Sequence, residues 1–211
     1  MLKSCLFILS FTLSSFSYAV DKSYIPTVMP PKEEVMRVKD DDVVMGCSDA
    51  KHVIIEYSSL SCPYCATYHK TVFPQIESDI IKKCKAKYVY RSFPTTRSAL
   101  KGSAVAQCLA TDNGKIDVNK FFYHIHFLFA SQSSWAFQET YEESLNKLFL
   151  LSGVDKVKLN QCIADKELMS DIVSKSFVSM KVLNLVHSPV IFVDGAEVST
   201  LTFDQINNAV K

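Results

Sequence analysis

Two cysteines separated by two residues, Cys62 and Cys65, are the side chains in this sequence best suited to chemistry. They follow an apolar, β-branched run at 53–57 and precede apolar residues at helical spacing, so we expect them where a helix begins. The free amides and aligned dipole of a helix N-terminus stabilise an anion, which favours the reactive thiolate of Cys62. Cys65 lies one turn further on and could resolve a mixed disulfide. Pro63 costs the first helical turn no hydrogen bond.

A CxxC pair can also belong to a zinc site or form a purely structural disulfide. Zinc needs further ligands, and the sequence has no second CxxC and no matching histidine pair. Cys65 and His69 are spaced to share one helix face, but the sequence pattern supplies no further ligands beside them. A structural disulfide between Cys62 and Cys65 would close a very small loop and contribute little stability. Redox chemistry is therefore the favoured interpretation.

Two predicted strands and the helix between them position this pair. The run 53–57 predicts a buried strand, and 87–93 predicts a second strand that stops at Pro94. Apolar residues at helical spacing predict a helix over 68–80, which Pro74 should kink or split. The order strand, helix, strand makes the two strands parallel neighbours.

The rest of the chain divides into a helical block and a second strand-containing half. From about 98 to 185 the apolar residues keep a helical period. The following pattern predicts a strand at 190–193, a hairpin turn at 194–195, a return strand at 198–199 and a final helix capped by Thr202. We therefore predict an α/β protein in which a βαβ half and a ββα half share a central mixed sheet and enclose an inserted helical domain.

The first 19 residues predict a cleaved export signal. Lys3 precedes an apolar run at 5–16, and small residues follow at 17 and 19. The apolar run is too short to span a bilayer. Residues 20–45 then read as a polar, proline-containing arm, with a short edge strand expected near 35–38.

The composition is that of an ordinary globular chain, with 48% hydrophobic and 21% charged residues among 211. Its 23 basic and 22 acidic residues become 22 of each when Lys3 leaves with the signal, and no basic stripe is visible. Nucleic acid is therefore not an expected partner. Loss of Cys5 reduces the seven cysteines to six, an even number suited to pairing in an oxidising compartment.

The four cysteines outside the CxxC pair predict two structural disulfides. Cys108 and Cys162 each lie on an apolar helical face of the inserted block. A bridge between them would contribute about 4 kcal/mol in the chain-entropy model. Cys47 and Cys84 each lie just upstream of one of the parallel strands, so both should lie at the sheet edge opposite the CxxC pair. We therefore expect a second bridge there.

Three segments together resemble the DsbA family of bacterial thiol oxidases: 57–65 (YSSLSCPYC), 91–94 (RSFP) and 188–195 (SPVIFVDG). The similarity extends over nearly the whole mature chain and is closest to the alphaproteobacterial type of DsbA. It implies that family's fold, a thioredoxin domain with an inserted helical domain. The thioredoxin domain would then comprise 46–97 and 186–211, and the inserted helical domain 98–185.

The resemblance also implies roles for three residues outside the CxxC pair. Pro189 matches the cis-proline that faces the cysteines and presents the preceding backbone to an extended substrate segment, and Ser188 matches the variable residue before it. Glu56 matches the buried acid beneath the active site, where burial should raise its pKa and allow it to relay protons for Cys65. The alternative for Glu56 is a solvent-facing position on an edge strand.

Tyr64 is the one position that departs from strongly oxidising DsbA proteins, which have a histidine there. A histidine near the thiolate stabilises it by charge, whereas a tyrosine cannot do so in the same way. Pro63 and Tyr64 are therefore expected to tune the pair toward a milder oxidant. His187, next to Ser188, is interpreted as a solvated loop residue rather than a second tuning group.

The favoured function is donation of the Cys62–Cys65 disulfide to reduced cysteines of newly exported proteins in the periplasm, with no other cofactor and no metal. The resemblance implies reoxidation by a quinone-linked membrane partner of the DsbB type. The alternatives are a disulfide isomerase or reductase of the same fold, and a non-enzymatic chaperone or binding protein. The arm at 20–45 is short for the oligomerising extension of an isomerase, so a monomer is expected.

Overall fold

A mixed five-stranded sheet with helices packed on both faces forms the centre of the computed structural model, which describes residues 25–211. The expected export signal at 1–19 and Cys5 lie outside the described residues. Within the described part, no helix combines the length and apolar character needed to cross a bilayer.

The strands predicted at 53–57, 87–93 and 190–193 are present. The strands of the described residues are β1 (Val43–Met45), β2 (His52–Ser58), β3 (Ala86–Ser92), β4 (Thr111–Asp112), β5 (Lys115–Ile116), β6 (Val190–Val193) and β7 (Ala196–Glu197). The central sheet has the order β1-β3-β2-β6-β7, and β4 and β5 form a separate hairpin. Strands β2 and β3 are parallel, while the other neighbours in the sheet are antiparallel. The predicted α/β fold with a central mixed sheet is confirmed.

The helices of the described part include the inserted block between β3 and β6. They are α1 (Lys32–Met36), α2 (Pro63–Thr71), α3 (Phe73–Ile76), α4 (Arg97–Ala110), α5 (Val118–Ala130), α6 (Gln132–Trp135), α7 (Tyr141–Leu151), α8 (Lys156–Ala164), α9 (Lys166–Leu183) and α10 (Phe203–Ala209), with a π-helical segment at Glu77–Ile81. The predicted split near Pro74 is confirmed, because α2 ends at Thr71 and α3 begins at Phe73. A proline has no amide hydrogen to continue the helical ladder.

Two of the predicted strands are wrong in position. The segment near 35–38 contains the end of α1 instead of a strand, because Pro31 precedes that helix and Glu33 and Glu34 occupy its first turn, where acidic side chains favour a helix. One edge strand of the sheet, β1, lies further along the expected arm. The return strand lies at Ala196–Glu197 rather than 198–199, because positive φ angles at both turn residues reverse the chain at once.

The small hairpin between α4 and α5 was not predicted from the sequence. Asn113 and Gly114 form its turn with φ angles of 48° and 75°, as an Asn-Gly pair in a two-residue hairpin commonly does. Thr202 caps α10 as predicted, because its hydroxyl accepts a hydrogen bond from the backbone amide of Gln205.

The two faces of the sheet bury different sets of side chains. The larger core combines alternate residues of β2, β3 and β6 with apolar residues of α2, α3, α5 and α10. The smaller core lies on the other face, where α9 and the chain around α1 cover it. Strand alternation divides neighbouring residues between the two cores: Ile54 faces the larger core and Ile55 the smaller one.

Arg91 at the end of β3 attaches the N-terminal arm to the sheet. Its guanidinium donates two hydrogen bonds to the Asp42 carboxylate, at 2.9 and 2.7 Å, and further ones to the carbonyls of Val35 and Arg37 and the hydroxyl of Tyr57. The side chains of Arg91 and Asp42 are only 12% and 11% exposed. A planar, always charged group with several donors suits this partly buried position better than a lysine would.

Replacing Arg91 with methionine should destabilise the protein strongly, because the largely buried Asp42 carboxylate and the carbonyl of the buried residue Val35 would lose their partner. We expect the free energy of unfolding, measured by urea denaturation, to fall by about 3 kcal/mol. Arg37→Met is the matched control, since the Arg37 side chain pairs with Glu34 at an exposed position. It should cost less than about 1 kcal/mol. Equal losses in the two variants would contradict this account of Arg91.

Candidate active site

Cys62 stands at the junction between a tight turn and helix α2. Its backbone amide donates a 2.9 Å hydrogen bond to the Ser59 carbonyl, and this contact closes the turn that follows β2. Cys62 is the N-cap residue of α2, and Pro63 is the first helical residue. The sulfur therefore lies beside backbone amides that have no partner within the helix.

The loop before β6 faces the two cysteines. The Cys62 sulfur lies 3.1 Å from the Ser188 carbonyl oxygen, and the Cys65 sulfur lies 2.9 Å from the Ser188 hydroxyl. The same hydroxyl accepts a 3.0 Å hydrogen bond from the Ser59 amide. The Ser188–Pro189 peptide bond is cis. The residues expected to form the site from both halves of the chain thus lie together.

The two thiols have opposite acid–base character. A hydrogen bond from the Cys65 thiol, together with the backbone amides of Cys65 and Tyr64, outweighs partial burial and lowers the pKa of Cys62 to about 6. Complete burial, reinforced by that same hydrogen bond, raises the pKa of Cys65 well above its ordinary value. At neutral pH the more accessible sulfur is therefore the thiolate and the buried one is the thiol.

Glu56 is fully buried on β2, so the alternative of a solvent-facing position is wrong. The His69 ring nitrogen Nε2 lies 2.9 and 3.0 Å from its two carboxylate oxygens, and the Tyr88 hydroxyl donates a 2.7 Å hydrogen bond to it. Burial alone would raise the pKa of Glu56, but the charge of His69 and these hydrogen bonds lower it. The predicted raised pKa is therefore wrong, because the sequence did not show which partners the carboxylate meets.

The contact between His69 and Glu56 was not predicted from the sequence. The His69 ring stacks between Phe73 and Phe129, with centroid distances of 5.1 and 4.4 Å, and is nearly inaccessible to solvent. The available signal was its spacing: His69 lies four residues after Cys65 and so shares a helix face with it. That face points into the larger core, where Glu56 also lies.

The remaining predicted residues are distributed as follows. Tyr64 is 76% exposed beside the cysteines, and His187 is exposed on the loop before Ser188.

Cys108 on α4 and Cys162 on α8 form a disulfide with a Cα–Cα distance of 5.4 Å. Cys47 and Cys84 form another, with a Cα–Cα distance of 5.3 Å, where the chain enters β2 and β3. This bridge lies at the start of the two strands, whereas the CxxC pair follows the opposite end of β2.

No group of three or more His, Cys, Asp or Glu side chains within residues 25–211 has an arrangement that could hold a metal ion. The zinc interpretation of Cys65 and His69 meets a further obstacle, because the His69 nitrogen Nε2 contacts Glu56 and its ring is enclosed by aromatic side chains.

Comparison with protein families gives a match to the thioredoxin model over residues 39–211. A protein of Rickettsia prowazekii named as a protein-disulfide oxidoreductase is 28% identical over 185 residues, which are 88% of this chain and 65% of the relative. The chain thus spans slightly less than two thirds of that relative's length. Disulfide bond formation protein D of Bacillus subtilis is 24% identical, with 80% of this chain and 75% of that protein covered.

Solved structures match the fold over most of the chain. Alpha-DsbA1 of Wolbachia pipientis matches with a TM-score of 0.76 at 24% identity, over 85% of this chain and 94% of that one. Oxidised BdbD of Bacillus subtilis matches with a TM-score of 0.69 at 19% identity, over 80% and 90% of the two chains. At these identities the likeness describes the fold.

The ionisation of Cys62 can be measured directly in the reduced protein. We expect its thiolate absorbance and alkylation rate to titrate with a midpoint of about 6. Because this pKa is lower than that of an unfolded thiol, the thiolate stabilises the reduced fold above the unfolded pKa, and that stabilisation is lost as the pH falls through about 6.

Cys65→Ala is the companion variant, because the Cys65 thiol is the largest influence that lowers the pKa of Cys62. The Cys62 midpoint should then rise toward that of an ordinary thiol. A midpoint that stays unchanged in Cys65→Ala would show that the backbone amides and Ser188, and not the Cys65 thiol, lower the pKa of Cys62.

Proposed function

Because the chain belongs to the thioredoxin family and has the fold of DsbA proteins, we propose that it is a thiol-disulfide oxidoreductase that donates the Cys62–Cys65 disulfide to reduced cysteines of exported proteins. One observation carries this proposal: an accessible sulfur with a lowered pKa lies next to a buried sulfur with a raised one. Such an asymmetric pair defines which sulfur is attacked and which one leaves.

The reaction begins when a substrate thiolate attacks Cys62 in the oxidised enzyme. A new bond forms between the substrate sulfur and Cys62, the Cys62–Cys65 bond breaks, and Cys65 leaves with the electron pair and takes up a proton. A second substrate thiolate then attacks the first substrate sulfur, so that Cys62 leaves as a stabilised thiolate. The substrate becomes a disulfide and the enzyme a dithiol. Stabilisation of the leaving thiolate makes the enzyme's disulfide oxidising.

Ser188 and Pro189 are proposed to bind the substrate segment beside Cys62. The Ser188 carbonyl lies against the Cys62 sulfur, so an extended peptide that pairs with this part of the chain would bring its own cysteine close to Cys62. The Ser188 hydroxyl contacts Cys65 and is proposed to help hold that sulfur in place after it leaves.

Glu56 is proposed to accept the proton that Cys65 must lose when the disulfide re-forms. Its lowered pKa keeps the carboxylate ionised and makes it a weak base, so it would hold the proton only briefly and pass it on. His69, which contacts Glu56, lies on α2 four residues after Cys65, so the carboxylate and the Cys65 thiol lie on the same side of that helix. Pairing with His69 would keep the carboxylate in this position throughout the cycle.

We further propose that the protein works in the periplasm as a monomer and is reoxidised by a membrane partner of the DsbB type. The export signal expected at 1–19 and the two disulfides outside the CxxC pair support an oxidising compartment. The substrates are reduced or unfolded exported proteins, because the enzyme's reactive sulfur is exposed enough to meet a cysteine in an extended chain.

Refolding of a reduced test protein, compared with refolding of a scrambled one, tests the function. We expect the oxidised wild type to introduce disulfides stoichiometrically into the reduced protein and to correct the scrambled one poorly. Cys62→Ser should abolish the oxidation, since no sulfur remains for the substrate to attack. Efficient correction of scrambled disulfides, together with an oligomer on a sizing column, would instead indicate an isomerase. Binding of unfolded protein that survives without any thiol oxidation would indicate a chaperone.

Replacing Tyr64 with histidine tests the proposed tuning by this residue. A histidine at this exposed position can carry a positive charge near the Cys62 thiolate, so the pKa of Cys62 should fall and the disulfide should become more oxidising. Equilibration with glutathione buffers measures the second effect, with Tyr64→Phe as the control for the loss of the hydroxyl. A wild type already as oxidising as Tyr64→His would contradict the role assigned to Tyr64.

A further inference from the structure

Gln132, the first residue of α6, connects the inserted helices with the active-site loop. Its side-chain amide nitrogen lies 2.8 Å from the Leu60 carbonyl oxygen and 3.0 Å from the Cys62 carbonyl oxygen. The residue is only 7% exposed. A single buried amide thus donates to two backbone carbonyls on either side of Ser61, immediately before the helix that carries the cysteines.

The Leu60 carbonyl needs a donor from outside the loop. Leu60 lies inside the turn that the hydrogen bond between Cys62 and Ser59 closes, and its side chain is fully buried. A buried carbonyl without a partner is costly, and in the described structure the donor recorded for the Leu60 carbonyl is Gln132. The Cys62 carbonyl also accepts the first helical hydrogen bond, from Ala66, so Gln132 occupies its second acceptor position.

The helix that carries Gln132 is itself held firmly. Trp135 in α6 is fully buried, and its indole nitrogen donates a 3.0 Å hydrogen bond to the Leu128 carbonyl. A Cβ atom added to Gly102 of α4 would lie 2.7 Å from the Trp135 ring and 3.3 Å from Leu60, so glycine at this position leaves room for the ring close to the loop. Helix α6 is therefore held in place by its packing, and Gln132 donates to the loop from a fixed position.

We propose that Gln132 is a positioning residue for the thiol-disulfide exchange: through the carbonyls of Leu60 and Cys62 it holds the start of α2 so that the amides of Tyr64 and Cys65 stay directed at the Cys62 sulfur. This inference rests on the proposed function. It also assigns the inserted helical domain a part in the chemistry, because the donor comes from α6 and not from the thioredoxin part of the chain.

Gln132→Met tests the proposal, because methionine has nearly the same length and no amide to donate. The Cys62 midpoint in the reduced protein should rise by about one unit, a loss of roughly tenfold in thiolate at a pH well below the midpoint. The rate at which the oxidised variant oxidises a reduced peptide should fall with it. Gln138→Met is the matched control: the Gln138 amide also donates to a backbone carbonyl, that of Ser133, but at an exposed site outside the loop. Its midpoint and rate should match the wild type.

A purely structural Gln132 would give a different result. Gln132→Met would then melt at a lower temperature in both redox forms by the same amount, with the Cys62 midpoint unchanged, and the proposal would be overturned. If Gln132→Met does not fold, Gln132→Asn is tested instead. The asparagine side chain is one methylene shorter, so its amide cannot donate to both carbonyls. A raised midpoint in the folded asparagine variant supports the proposal, and a wild-type midpoint overturns it. If the wild type itself fails to oxidise the peptide, the proposed function fails instead.

Discussion

The contact between the Cys62 sulfur and the amino end of helix α2 is the interaction on which the rest of the site depends. The Cys65 thiol, in the first turn of the helix, is the largest influence that lowers the pKa of Cys62, and the backbone amides of Cys65 and Tyr64, which have no acceptor within the helix, add to it. Cys65, one turn into the helix, receives no such benefit because burial opposes its ionisation. Position along one helix therefore gives two chemically identical side chains opposite behaviour, and only the difference between them makes directed disulfide exchange possible.

That contact requires a rigid frame on every side. The cysteine loop follows strand β2, and Ser188 lies just before strand β6. The antiparallel pairing of these two strands sets the distance between Ser188 and the cysteines. Arg91 ties the N-terminal arm to the end of β3, where several partly buried groups share one cation. The inserted helices complete the frame through Gln132. Each of these contacts crosses between segments that are far apart in sequence.

The buried Glu56–His69 pair is the most unusual part of the larger core. A carboxylate without compensation would be strongly disfavoured at this depth, and the imidazole between two phenylalanine rings provides the compensation. Its presence beneath the cysteines gives the interior a polar centre that a purely apolar core would lack. The Tyr88 hydroxyl completes the contacts of the carboxylate.

The sequence by itself determined the elements with local signals: the strands on each side of the CxxC pair, the break near Pro74, the Asp-Gly turn and the capped last helix. These follow from periodicity, proline chemistry and short-range hydrogen bonds. Tertiary structure alone decided the pKa direction of Glu56 and the contact of Gln132 with the loop, because both depend on partners brought together by folding. It also decided that one edge strand is β1, since a strand as short as three residues gains its stability from pairing with β3 rather than from its own sequence.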